Sequence, residues 1–299
     1  MRTAVRASAA LLAAIVAGAL VAPPAQAAAE ASGGTQCQPV AVSGSTTGFT
    51  SPDSVPSGIR TFQVTTTNPS GVVLGLFRLD PGVNLDNFVG LLRVAFAGQG
   101  QERIEAGEAV KEQSTLLGGV ATIVGRPATF TQTLVPGTYY LINYRDILSN
   151  PTGSVGVRPL TATNQWQSCL PAQPRATIEI VNTADGMRFR APATVRQGTS
   201  TLVANLSDRI QEAVIRPVTA TATPGEIQQF FQAVDSGQAP PSNPFIGLLP
   251  QGMPVIHPSL ATIIQPNLAP GRYALLSFLL DDAGVRYAAQ GMVVVFDVI

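Results

Sequence analysis

The chain reads as an all-β protein built from two tandem Greek-key β-sandwiches, each with a short helix. Three observations lead there. One turn phrase occurs twice, as Leu134-Val135-Pro136-Gly137-Thr138-Tyr139 and Leu268-Ala269-Pro270-Gly271-Arg272-Tyr273, 134 residues apart. Other landmarks recur in the same order: Pro81-Gly82 and Phe88 match Pro224-Gly225 and Phe231 at an offset of 143, and Gly58-x-x-Thr61-Phe62 matches Gly198-x-x-Thr201-Leu202 at 140. Ordered landmarks with drifting offsets describe two diverged copies with insertions and deletions in their loops. Between the landmarks, threonine, valine and proline favour strands and loops.

The N-terminus reads as a signal peptide over residues 1–27. Arg2 and Arg6 supply a positive n-region, Ala9 to Ala22 an apolar h-region, and Ala25-Gln26-Ala27 a small-residue cleavage site. The apolar run is shorter than the roughly 20 residues of a spanning helix and ends in Pro23-Pro24. Residues 28–36 read as a flexible lead-in. No cysteine closely follows the cleavage site to carry a lipid, and no later stretch is long enough to span a membrane. A secreted protein is expected, extracellular or associated with the cell envelope.

The first domain is placed at 37–169 and the second at 176–299. Pro171 and Pro174 mark 170–175 as a linker. In the first domain, Ile59 to Thr67 alternates apolar and polar residues as a half-buried strand does. Val72 to Leu79 is a more continuous apolar run, expected to be a buried strand. Leu85, Phe88, Leu91 and Leu92 fall on one face of a short helix after the Pro81-Gly82 turn. In the second domain Ile227, Phe230, Phe231 and Val234 make the matching core-facing stripe. Asp281 to Gly284 is a turn, and Val293 to Ile299 is a closing strand.

Composition excludes several classes of function. Apolar residues make up 45% of the chain, enough for a packed core. Charged residues are 12%, against about 25% in an average domain, and the net charge is zero. Loss of Arg2 and Arg6 leaves 16 basic against 18 acidic residues, a net charge of −2. No basic stripe supports nucleic-acid binding. An oxidising exterior favours a disulfide between Cys37 and Cys169, the alternative being two buried free thiols.

No catalytic constellation is visible. His257 is the single histidine, so a Ser-His-Asp site would need it, and no motif supplies its partners. It reads as a surface or loop residue. Glu102, Glu105, Glu108 and Glu112 read as the face of a solvated helix or as a mobile loop. Asp281 and Asp282 are adjacent, and adjacent side chains at a strand turn point apart. Gly98-Gln99-Gly100 and Gly118-Gly119 read as loop glycines outside any phosphate motif. Asn205-Leu206-Ser207 matches a glycosylation sequon.

The segment from Tyr273 to Val298 runs strand, turn, loop, strand. With its Pro-Gly-x-Tyr turn and its Gly291-Met292 pair, it resembles the exported cupredoxin-like proteins of bacteria. The opening Pro56-x-Gly58 strand, the buried strand, the Pro-Gly turn with its helix and the Leu-x-Pro-Gly-x-Tyr turn follow in family order over most of both repeats. The resemblance implies two cupredoxin-like Greek-key sandwiches. Copper-binding members ligate through two His, one Cys and a weak axial Met. Position by position, Ser277 stands at the Cys place, Tyr287 at the second His, and Met292 keeps the Met. The upstream His falls near Gln211 or Glu212. In the first repeat Asn143 takes the Cys place, and no His is present. The resemblance therefore implies the fold without the metal or any other cofactor. The expected function is a secreted, non-catalytic binding or structural protein whose partner is an envelope or extracellular protein or a glycan. The alternative is a copper-binding protein with a non-standard site through Met292, His257 or another ligand.

Overall fold

A computed structural model describes residues 37–299, apart from 150–152, 154, 170, 172 and 248. The segments assigned to a signal peptide and lead-in, 1–27 and 28–36, lie outside these residues, as do Leu170 and Ala172 of the 170–175 segment.

The alternating segments form one sheet. β1 (Val40–Ser45) pairs antiparallel with β2 (Gly48–Thr50) and parallel with β3 (Ser54–Thr66). The other edge of β3 pairs antiparallel with β6 (Ala128–Leu134). Val40, Val42, Phe62 and Val64 are buried, while Ala41, Ser43, Gln63 and Thr65 face out. Alternation survives here because one face of the sheet is wet.

The continuous apolar runs form the second sheet. β4 (Val72–Leu79) pairs antiparallel with β5 (Ser114–Thr122) and β7 (Gly137–Asn143), and β7 with β8 (Val157–Trp166). The first residues of β3 leave the first sheet and run parallel to β8. Both faces of this sheet are covered. Leu74 and Leu76 enter the sandwich interior. Phe77 packs on the other side with Phe88, Leu92, Val110 and Ile147. These come from α1 (Leu85–Ala97), α2 (Gly100–Gln113) and α3 (Tyr144–Ser149). The first half thus carries three helices among the described residues, two more than its apolar stripes suggest.

Residues 176–298 repeat this pairing scheme. β9 (Ala176–Thr183) pairs antiparallel with β10 (Gly186–Arg190) and parallel with β12 (Thr201–Asn205), and β12 pairs antiparallel with β15 (Ala261–Gln265). In the other layer β13 (Gln211–Pro217) pairs antiparallel with β14 (Gln251–Ile256) and β16 (Gly271–Leu276). β16 pairs antiparallel with β17 (Val293–Val298), and the short β11 (Thr194–Val195) lies parallel to β17. α4 (Pro224–Asp235) covers the outer face through Ile227 and Phe231. Its start follows from a capping box, in which Thr223 and Glu226 satisfy each other's backbone N–H groups. Val234, read as core-facing, is instead an exposed residue in the last turn.

The repeated turn phrase has a specific physical role. Tyr139 Oη donates to Val135 O at 3.0 Å, and Tyr273 Oη donates to Ala269 O at 2.9 Å. Each buried phenol is tied four residues back, which fixes the crossing from β6 to β7 and from β15 to β16. This is the tyrosine-corner device of Greek-key sandwiches.

The two halves join edge to edge in both layers. β5 pairs antiparallel with β14, and β6 with β15. Each sheet therefore continues from one half into the other, and one apolar cluster runs from Val40 to Val298. Gln132 reinforces the seam, its Nε2 donating to Leu117 O at 2.6 Å and Ala261 O at 2.9 Å. Gly119 and Gly252 sit in the two seam strands with φ of +153° and +97°. A Cβ there would lie 2.0 Å from Leu74 O and 2.3 Å from Ala213 O, so only glycine fits. The Gly118-Gly119 pair, read as loop, is thus part of a strand.

Candidate functional site

β13 and β16 bring the upstream and downstream site positions together. Gln211 opens β13 and Ser277 follows the last residue of β16, and the two strands are paired neighbours. Ser277 Oγ donates to Gln211 Oε1 at 3.0 Å and accepts from Leu279 N at 3.3 Å. Gln211, Ser277 and Met292 are all fully buried. Tyr287 is half-buried and packs against the same core cluster as Met292. The loop between them is closed by its backbone. Ala288 N donates to Ser277 O at 3.1 Å, Tyr287 N to Leu279 O at 2.9 Å and Met292 N to Tyr287 O at 2.9 Å.

The donor set does not fit a copper site. A carboxamide, a hydroxyl, a phenol and a thioether stand where two imidazoles and a thiolate are needed. The thiols cannot substitute, since Cys37 and Cys169 are joined in a disulfide with Cα atoms 5.4 Å apart. Among the described residues no three His, Cys, Asp or Glu side chains cluster as metal ligands. One polar atom is left over: the Gln211 amide nitrogen is buried without a hydrogen-bond partner. An amide N–H₂ is a donor and no ligand for a cation.

Glu212, the next residue, is half-buried and accepts from Phe278 N at 2.7 Å. Burial pushes its carboxyl up from 4.5 to about 7, against the opposing pull of the Phe278 and Leu279 N–H groups.

In the first half, Asn143 occupies the Ser277 place. Its Oδ1 accepts from Val73 N at 3.0 Å and Arg145 N at 3.3 Å, and its Nδ2 donates to Asp146 Oδ1 at 2.8 Å. Asn143 therefore ties β4 to α3, with both lone pairs of its amide oxygen occupied.

His257 was expected on the surface or in a loop, and it lies in the loop that directly follows β14. It is half-buried at the seam. Its Nδ1 accepts from Leu116 N at 2.8 Å, which requires the proton on Nε2, where it donates to Lys111 O at 3.1 Å. With His257 N donating to Leu116 O at 3.0 Å, the imidazole extends the β5–β14 ladder. Burial holds its pKa below the ordinary 6.5, so the ring is neutral. Its contribution is complete above that pH and is lost as pH falls through its lowered value. His257→Ala is expected to cost about 2 kcal/mol in urea denaturation at pH 8, by orphaning the Leu116 N–H and the Lys111 carbonyl. An unchanged midpoint would show that water satisfies both groups.

The other acidic candidates are structural. Asp281 accepts from Val285 N at 2.8 Å and from Gln290 Nε2 at 2.8 Å, and Asp282 pairs with Arg209 at 2.7 Å. Residues 100–113 form a helix, not a mobile loop. Its Arg103 donates to the backbone carbonyls of Leu280 and Asp281, and its Glu108 pairs with Arg209 at 3.3 Å. Asn205 of the sequon is fully buried, its Nδ2 donating to Arg209 O and Ile256 O, so it is closed to a glycan. Among the described residues no helix is long and apolar enough to cross a membrane.

Sequence reasoning missed Arg60. This buried guanidinium donates to Pro56 O, Ser57 O and, at 3.0 Å, to Cys169 Sγ. A lone arginine within an alternating strand gave no signal of that role.

No protein-family model matches the chain, and no curated protein matches it. Solved structures that align with it are of the cupredoxin fold. The auracyanin of Roseiflexus castenholzii is 20% identical, covering 42% of this chain and 98% of its own, with a TM-score of 0.25. Auracyanin B is 15% identical, covering 44% and 93%, with a TM-score of 0.25. The copper nitrite reductase of Nitrosomonas europaea is 10% identical, covering 88% and 94%, with a TM-score of 0.24. At such TM-scores these likenesses carry no weight, and the all-β sandwich class rests on the strand pairing itself.

Proposed function

We propose that this is an exported, non-catalytic binding or structural protein of the cell envelope or extracellular space. It consists of two tandem cupredoxin-like sandwiches that have given up the copper site and fused along their edges. One observation carries the reading: the buried Ser277–Gln211 hydrogen bond stands where a thiolate and an imidazole would meet a metal. Further support comes from the use of His257, Asn143, Asp281 and Asp282 as structural ties. Its partner is a protein or glycan outside the cell.

The test is titration of residues 28–299 with Cu(I) and Cu(II). The expected result is no stoichiometric binding, no visible charge-transfer band and no rise in Tm. Tight binding of one copper, lost in Met292→Leu, would overturn the metal-free reading. Turnover of a glycan or peptide, lost on a single substitution, would overturn the non-catalytic one.

A further inference from the structure

The two sulfurs of the disulfide stand in different surroundings. Cys169 is 8% exposed, and its Sγ lies 3.0 Å from a guanidinium nitrogen of Arg60. Cys37 is half-buried, and the side chain beside its sulfur is the neutral amide of Gln167, with Nε2 3.9 Å away. One sulfur is thus covered and faces a cation at hydrogen-bond distance. The other is more open and has only a distant dipole.

Both members of the covered pair are held in place. Arg60 Nε donates to Pro56 O at 2.7 Å, and a terminal nitrogen donates to Ser57 O at 3.2 Å. These carbonyls belong to β3, the strand that carries Arg60, so the guanidinium is pinned against its own strand and aimed at the sulfur. Cys169 N donates to Ile59 O at 3.0 Å, which fixes the cysteine beside the same strand. Arg60 is 4% exposed and makes no ion pair among the described residues. A shielded guanidinium without a carboxylate is an unbalanced charge. The disulfide sulfur that it touches is neutral and a weak acceptor. A Cys169 thiolate would be the missing anion.

In thiol–disulfide exchange the entering thiolate bonds to one sulfur, and the other leaves with the electron pair. Access and charge choose the direction. The attacked sulfur has to be reached from solvent, which favours Cys37. The leaving sulfur collects negative charge, which favours the one beside a cation, Cys169.

We propose that the Cys37–Cys169 bond is a thiol-exchange site, at which an external thiolate attacks Cys37 Sγ and Cys169 leaves as a thiolate paired with Arg60. The bond between the entering sulfur and Cys37 forms as the S–S bond breaks, and the electron pair of that bond passes to Cys169. The entering thiol gives its proton to water. A second thiol attacking the mixed disulfide frees Cys37, which takes up a proton. Two thiols are then oxidised to one disulfide, and the protein disulfide is reduced. Because Cys37 precedes β1 and Cys169 follows β8, exchange unties the first strand from the end of β8. The step is stoichiometric in thiol and stands independently of the metal-free binding reading.

Glutathione is the probe. Oxidised protein is incubated with it at neutral pH without denaturant, quenched in acid, alkylated and mapped by mass spectrometry. Glutathione is expected on Cys37 and the alkyl label on Cys169. Arg60→Met should slow the exchange roughly tenfold and weaken the preference for Cys37, while Arg60→Lys restores most of both. If Arg60→Met does not fold, the single-thiol variants decide. Thiolate absorbance against pH is expected to place Cys169, alone in Cys37→Ser, below the ordinary thiol value of about 8.5, and Cys37, alone in Cys169→Ser, near it. Glutathione on Cys169 or divided equally, no exchange short of unfolding, an unchanged rate in folded Arg60→Met, or a Cys169 thiol that titrates at or above Cys37 would each overturn the proposal.

Discussion

Removing the disulfide, as Cys37→Ser with Cys169→Ser, is expected to lower the Tm on the order of 10 °C. The bond closes a span of 132 residues, for which chain entropy alone predicts about 5 kcal/mol. Its position makes this span matter. Cys37 lies just before β1 and Cys169 just after β8, and both strands pair with β3. The bond therefore clamps the two outer neighbours of the strand that passes between the sheets. Cys169 N also donates to Ile59 O at 3.0 Å, and Arg60 holds Cys169 Sγ. Serine is the right replacement, because its hydroxyl can still accept from Arg60 and no buried guanidinium donor is orphaned. Reductant should lower the Tm of the wild type and leave the variant unmoved. A reductant-insensitive wild type would show that the bond contributes no stability.

Glu212→Gln is expected to stabilise the protein at alkaline pH and to be nearly neutral in acid. Because burial raises the folded-state pKa of Glu212 from 4.5 to about 7, the folded protein holds a proton there that the unfolded chain has released. That contribution is complete below about pH 4.5 and is lost as pH rises through about 7. Glutamine imitates the protonated acid and does not titrate, so the gap between variant and wild type should open across this window. Two and a half pKa units correspond to on the order of 3 kcal/mol, which partial exposure of the side chain trims to about 2. His257 acts with the opposite sign, losing its contribution in acid, but equally in both proteins, so it cancels in the difference. Urea midpoints at pH 5 and pH 8 provide the measurement. A variant destabilised by the same amount at both would mean that Glu212 is ionised throughout and held by the Phe278 and Leu279 N–H groups.

The elements most legible in the sequence are those whose cause is local. The run Val72–Leu79 reads as one buried strand, and β4 has those bounds. It lacks alternation because helices cover its outer face, a reason that a run of apolar residues states directly. α1 and α4 follow their stripes because a one-sided helix must bury that side. α2 was ambiguous for the opposite reason. Its sequence is polar nearly all round, and its packing depends on Arg103 reaching carbonyls almost 180 residues away, at Leu280 and Asp281. Of the candidate site, the meeting of Gln211 with Ser277 could be anticipated from strand register. The neutral tautomer of His257 could not, since its two partners, Lys111 and Leu116, bear no motif.

Period, turn chemistry and cysteine count are written within a few residues of where they act. They were enough to specify an all-β pattern and the candidate disulfide pair. The union of the two halves is different. It depends on β5 meeting β14 and β6 meeting β15, edges more than 130 residues apart whose complementarity is a property of folded surfaces.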